Sequence, residues 1–299
     1  MSVVLRPDHH APIRPRSSPE VIKTLVARLT ERDRRIMRLI WRHKVLTTDQ
    51  LTALGWNSYN TAKQRLATLH RLRALERIRP WNPRGGAPWH YVLDTPGAEI
   101  LAAEHGQTLR EFGYRRDRAL NPVTSAALGH LRGLNQVFVD LYAHARTEAN
   151  DAHLDWWTEA ECADLYGDIV RPDGGGTWTI ANRHVGFFLE YDMGTERLRR
   201  LVDKIAAYGE LAATTATTPV VLLHLPNRRR EAHLRRALGT GPAVTVATAT
   251  HDAHPAEAVW VRADDPHLHP RRLIDLAPDG KTAHQPMLPA WDDEEEDVG

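Results

Sequence analysis

LTERDRRIMRLIWRHK (residues 29–44), VLTTDQLTALG (45–55) and NTAKQRLATLHRLRAL (60–75) succeed one another closely, and their reading decides the fold of the front of the chain. In the first stretch Thr30 can cap a helix, and Asp33 follows near the positive end of the helix dipole. Ile36, Leu39 and Ile40 recur at helical spacing, with the arginines mostly on other faces. In the second, Thr47 and Gln50 have the spacing of a capping box, Leu51 and Leu54 form the buried pair, and Gly55 ends a short helix. The third starts near Asn57 or Ser58 and turns Leu66, Leu69 and Leu72 toward a core. ERIRPWNPRGGAPWHYVLD (76–94) then alternates as a hairpin, with Arg79, Trp81 and Arg84 leading to a Gly85-Gly86 tip and Trp89, Tyr91 and Leu93 returning.

Helix, helix, helix and basic hairpin is the order of a winged helix-turn-helix. Tyr59, Asn60, Lys63 and Gln64 occupy the first turns of the third helix, the part of a reading helix that meets base edges. Arg65, Arg79 and Arg84 are expected to add phosphate or minor-groove contacts. Charge agrees with this: residues 1–90 carry 18 Lys or Arg against 6 Asp or Glu, a net +12, whereas the whole chain is +1, leaving −11 for residues 91–299. A cationic front half implies a polyanion partner, double-stranded DNA.

The chain of 299 residues is long enough for two cores. It has no apolar run of membrane-spanning length and no signal-peptide pattern, so a cytoplasmic location without membrane contact is expected. One cysteine, Cys162, excludes an internal disulfide and a multi-cysteine zinc site, and it reads as a small packed residue. Residues 1–18 read as a flexible basic arm, 19–106 as the winged domain closed by the helix TPGAEILAAEHG, 107–122 as a linker, 123–278 as a second domain, and 279–299 as a disordered acidic tail. The closing helix is a candidate support for a homodimer.

The second domain opens on a helix over 123–146 and continues with the strand LDWWT, strands at 177–180 and 184–191, a helix over 195–213, the buried strand PVVLLHL, a basic helix ending at Gly239, and strands near 243 and 258. Together the two parts give an α+β protein, a winged helix-turn-helix followed by an α/β domain with a mixed central sheet. Asp173 stands at the mouth of the 177–191 hairpin, and Glu190 and Asp192 share one strand face, so three carboxylates are expected on one edge. Clustered carboxylates repel unless a cation neutralises them, and an all-oxygen set suits Mg²⁺ or Mn²⁺, which could activate water against a phosphodiester. Arg171 or Arg197 could instead pair with these acids. The five arginines of the basic helix, Arg228, Arg229, Arg230, Arg235 and Arg236, read equally as a phosphate-holding face or a solvated one. His251, His254, His267 and His269 read as loop residues.

The α-β-β-β-α order, Pro172-Asp173 and Glu190-x-Asp192 resemble the PD-(D/E)xK nuclease core. That family's lysine would fall on Asp192, and Lys204 on the next helix could supply the cation from a shifted position. The resemblance implies catalytic roles for Asp173, Glu190, Asp192 and Lys204 in a Mg²⁺- or Mn²⁺-dependent endonuclease. LTERDRRIMRLIWRHKVLTTDQL, APWHYVLDTPGAEILA, WWTEAECA, VRPDG, FFLEYDMGTE and REAHLRRAL, in that order between about 29 and 275, are similar to the replication-relaxation family of plasmids and mobile elements. This second resemblance implies a role in plasmid replication or DNA relaxation, beside replication or mobilisation proteins. Three readings stay open: a nicking enzyme, a non-enzymatic regulator whose second domain dimerises or recruits a partner, or a protein adaptor in both domains.

Overall fold

The computed structural model describes residues 17–80, 87–147, 152–215, 217–239 and 241–277. Trp81, Arg84, the Gly85-Gly86 tip, most of the basic arm and the acidic tail lie outside them. The fold is α+β and divides into two compact units, residues 1–147 and 148–299. Among the described residues no helix is long and apolar enough to cross a membrane.

The first unit opens with α1 (Pro19–Val26), α2 (Glu31–Arg42), β1 (Leu46–Thr47), α3 (Thr48–Gly55) and α4 (Tyr59–Arg71). It continues through β2 (Leu75–Ile78), β3 (His90–Leu93), α5 (Thr95–Glu104), α6 (Arg116–Thr124) and α7 (Leu128–Ala145). The helix starts follow from local chemistry. Thr30 and Asp33 form a reciprocal capping box on α2, and Thr47 and Gln50 form another on α3. Ile36, Met37, Ile40, Leu51, Leu54, Leu66 and Leu69 are wholly buried, so α2, α3 and α4 present their apolar stripes to one core. The antiparallel sheet, ordered β1-β3-β2, closes it, with Leu75 opposite Leu93 and Ile78 opposite His90.

The boundary between the units differs from the sequence reading. Helix α7, read as the start of the second domain, belongs to the first unit and packs on α3 and β1. Its Asn135 breaks the apolar periodicity because its side-chain amide donates to the carbonyls of His43 (3.1 Å) and Val45 (2.9 Å), while Gln50 donates to the Arg132 carbonyl at 3.0 Å. Residues 107–122, read as a linker, are also built in: the Tyr114 hydroxyl donates to the Leu93 carbonyl, and Phe112 stacks on Trp41 with centroids 4.9 Å apart.

The second unit contains β4 (His153–Thr158), α8 (Glu159–Tyr166), β5 (Gly174–Ile180), β6 (Arg183–Tyr191), α9 (Leu198–Thr215) and β7 (Val220–Leu225). After these come α10 (Arg228–Leu238), β8 (Thr245–Thr250), β9 (Trp260–Arg262), β10 (Pro270–Arg271) and a 3₁₀ turn, Leu273–Leu276. The mixed seven-stranded sheet runs β10-β9-β8-β7-β6-β5-β4, with β6, β7 and β8 parallel and the other pairs antiparallel. Parallel neighbours need crossovers, which α9 and α10 supply. One face of the sheet packs Phe188, Val221, Leu223 and Val246 against Cys162, Leu201, Ile205, Tyr208 and Leu234 of α8, α9 and α10.

Two elements here were not expected. Helix α8 is set by a capping box of Thr158 and Glu161, a signal present in the sequence but short. The three glycines 174–176 extend the strand read at 177–180 into β5. A Cβ on Gly176 would stand 2.2 Å from the Asp155 carbonyl oxygen and one on Gly175 3.0 Å from that of Phe187, so the strands come together only where side chains are missing.

Candidate functional sites

Helix α4 follows α3 after the short turn 56–58, anchored by buried Trp56. Its inward residues are Ala62, Leu66 and Leu69. Tyr59, Asn60, Thr61, Lys63 and Gln64 are all exposed, and Tyr59 is 47% accessible despite its size. On the adjoining hairpin the guanidinium groups of Arg77 and Arg79 lie 4.4 and 4.8 Å from the centroid of the Trp89 ring, close enough for cation–π attraction.

Arg65 departs from its expected place on the DNA face. Its Nε donates to Asp33 Oδ1 at 2.8 Å, and its Nη2 reaches Asp33 Oδ2 and the Arg28 carbonyl. Burial pushes the Asp33 carboxyl up, but the Arg65 and Thr30 hydrogen bonds outweigh it and hold the group below the usual carboxylate range. Arg65 therefore ties α4 to the start of α2. No local signal could have shown this, because the partner lies 32 residues away.

In the second unit, antiparallel pairing sets Gly174 opposite Leu189, which brings Asp173 beside the end of β6. Asp173 Oδ2 accepts from the Tyr191 backbone N–H at 2.9 Å. Glu190 shares the helix-covered face with Phe188 and is 3% accessible. Lys204 and Tyr208, one turn apart on α9, both donate to it: Lys204 Nζ to Oε2 at 2.5 Å and the Tyr208 hydroxyl to Oε1 at 2.5 Å. Lys204 Nζ is also 3.7 Å from Asp173 Oδ1. Burial, followed by the Asp173 charge, pushes Glu190 up to about 8. Burial works against the Lys204 charge, but the carboxylates of Glu190 and Asp173 outweigh it and raise its pKa.

Asp173, Glu190 and Lys204 are thus brought together, and Tyr208, on the same helix but given no site role by the sequence reading, joins them. Its phenol could have been suspected from the i, i+4 spacing to Lys204. Asp192 does not join the expected three-carboxylate edge. It lies just past β6, where Arg230 Nη2 donates to its Oδ1 at 3.0 Å, Arg230 Nε reaches Oδ2 and the Gly194 N–H caps the turn at 2.9 Å. Arg230 is consequently a packed partner rather than part of an open basic face, as is Arg235, which pairs with Glu231 and Thr248. Arg228, Arg229 and Arg236 remain exposed.

The expected Mg²⁺ or Mn²⁺ set does not fit this arrangement. Both Glu190 oxygens accept from protein donors, the Lys204 ammonium sits between the two carboxylates, and Asp192 is tied to Arg230. Among the described residues no group of three or more His, Cys, Asp or Glu side chains is placed to hold a metal ion. Cys162 is packed and buried, and burial pushes its thiol up to about 12.

On the opposite sheet face, Tyr191 stacks on His251 at 4.3 Å, and buried His224 adjoins both rings. Neither His224 ring nitrogen has a hydrogen-bond partner among the described residues. Burial, then the neighbouring His251, lowers its pKa to about 4, and burial lowers His90 of the first unit to about 4. Between pH 6.5 and about 4 the unfolded chain binds protons that these folded imidazoles refuse, so stability falls as pH falls through that window. His224→Phe is expected to flatten the acid limb of a Tm-against-pH curve for the second unit by several degrees; an unchanged limb would clear His224 of that role.

No curated protein and no solved structure matches the chain. The family description "Replication-relaxation" does match, over residues 37–221, from within α2 to the start of β7. That span covers more than half of the 299 residues and takes in α4, Asp173, Glu190 and Lys204, so the chain belongs to the replication-relaxation family.

Proposed function

We propose that this protein binds duplex DNA in the replication of a plasmid or mobile element, through a winged helix-turn-helix in its first unit. The observation that carries this reading is α4, whose first turns leave Tyr59, Asn60, Lys63 and Gln64 open to solvent beside a basic hairpin stem. Asn and Gln side chains can pair with adenine edges, and Lys can reach guanine or a phosphate. Arg79, on the hairpin that follows α4, has its charge held on Trp89. Membership of the replication-relaxation family and the +12 charge of residues 1–90 support the same partner.

The second unit reads as a PD-(D/E)xK-like core that does not cut DNA and serves instead in dimerisation or in recruiting a replication or mobilisation protein. The position of Lys204 favours this over the nicking reading, because its ammonium lies between Asp173 and Glu190, where a catalytic cation would have to sit.

Gel shifts on duplex DNA at about 50 and 200 mM salt test the first half: binding should weaken steeply with salt. Lys63→Ala should lower affinity about threefold to tenfold and reduce the salt slope by about one. No shift at low salt would sink the proposal. For the second half, supercoiled plasmid is incubated with Mg²⁺ or Mn²⁺ and either the protein or an Asp173→Ala, Glu190→Ala variant. Equal, background nicking is expected; metal-dependent nicking lost only in the variant would restore the enzyme reading.

A further inference from the structure

Helix α4 is not fixed by its own first turn. Its N-cap, Ser58, makes no side-chain capping hydrogen bond, in contrast to the reciprocal boxes that start α2 and α3. The turn 56–58 that delivers α4 has one buried anchor, Trp56, while Asn57 and Ser58 are exposed. This turn is held from outside by α7. Arg146, the C-cap residue of α7, donates from Nη1 to the Ala53 carbonyl at 3.0 Å and from Nη2 to Asn57 Oδ1 at 3.4 Å. The Ala53 carbonyl is among the last four of α3, at the negative end of that helix dipole, where a guanidinium is favoured. Helix α7 also grips α3 at its other end, where Gln50 Nε2 donates to the Arg132 carbonyl at 3.0 Å. Between the two grips, Arg35 of α2 donates to the Leu54 carbonyl at 3.4 Å and holds its guanidinium 5.3 Å from the Tyr142 ring centroid. Of these contacts, only that of Arg146 reaches past α3 to the turn before α4.

We propose that Arg146 is a positioning residue for DNA recognition: it pins the α3–α4 turn and so sets the direction in which Tyr59, Asn60, Lys63 and Gln64 face the duplex. This role rests on the DNA-binding function proposed for α4. Ala62, Leu66 and Leu69 keep α4 packed on its core whether or not the pin is present, so the helix folds without Arg146. What the pin removes is the freedom of an uncapped, exposed turn. A turn ordered in advance spares the duplex the entropic cost of ordering it, and the benefit falls on affinity rather than on folding. Arg146 acts through Ala53 and Asn57 and not through a phosphate. Salt tells these apart, because each phosphate contact contributes about 0.9 to the slope of log affinity against log salt.

The test uses the full-length protein and the duplex that it selects from a random pool, with affinity measured across a salt series. Arg146→Ala should weaken binding about fivefold, with salt slope and Tm unchanged and with faster amide exchange over residues 57–61. Arg146→Lys can still donate to the Ala53 carbonyl and should recover part of the affinity. Asn57→Ala should weaken binding less, and adding it to Arg146→Ala should cost nothing more. Wild-type affinity in Arg146→Ala, or additive losses in the double variant, would overturn the role. A salt slope lower by about one would also overturn it, by making Arg146 a phosphate contact. So would an affinity loss that only follows a loss of folded protein. A pool that yields no tight duplex for the wild-type protein would remove the DNA-binding function of α4 itself, and the role of Arg146 with it.

Discussion

Arg65→Ala is expected to cost about 3 kcal/mol of stability in the first unit, because it strands a buried carboxylate. Asp33 has a side-chain accessibility of 1%, and Arg65 supplies both its strongest donors. The Thr30 contacts survive the substitution, so the capping box remains while the charge loses its counter-ion. The drop should appear in calorimetry as a Tm lower by roughly 10 °C. Arg65→Lys should recover only part of it, since an ammonium cannot reproduce the forked contact to both carboxylate oxygens and the Arg28 carbonyl. Lys63→Ala, two residues earlier on the exposed face, should leave Tm unchanged and weaken DNA binding instead. The two variants thus separate a residue that builds α4 into the unit from one that faces outward. A wild-type Tm for Arg65→Ala, together with lost DNA affinity, would return Arg65 to the DNA face.

Lys204→Met should destabilise the second unit by about 3 kcal/mol at pH 8. The loss should shrink toward pH 5, for a reason visible in the geometry. Glu190 is buried and stands near Asp173, with Lys204 as the ammonium between them. Burial and Asp173 push Glu190 up to about 8, so below that pH the folded carboxyl takes a proton and no longer needs the lysine. The sign for the intact protein follows: the folded pKa lies above the ordinary value of 4.5, so Glu190's contribution to stability is full below 4.5 and declines as pH rises through 8. Glu190→Gln should flatten that slope and, in a double variant, make the Lys204→Met loss independent of pH. A loss equal at pH 5 and pH 8 would show that Lys204 contributes through packing alone.

Much of the architecture was readable from short-range chemistry. Thr30 before α2, Thr47 with Gln50 before α3, Leu66 and Leu69 of α4 and the apolar run of β7 up to His224 each act within a few residues, and each formed where expected. Leu72, read with the α4 stripe, is instead a half-buried C-cap. Membership of the replication-relaxation family was equally legible, since it rests on segments in order along the chain. The order of the strands, the destination of α7 and the partners of the charged residues were decided only by the tertiary structure. Helix α7 looks the same to local periodicity whichever unit it serves; Asn135 reveals its place only because two backbone carbonyls, of His43 and Val45, wait about ninety residues earlier. Asp192 shared a strand parity with Glu190, but the strand ended first and Arg230 of α10, 38 residues on, took it. Ion pairs and buried hydrogen bonds are settled by which side chains are desolvated together, and desolvation belongs to the packed chain rather than to any segment of it.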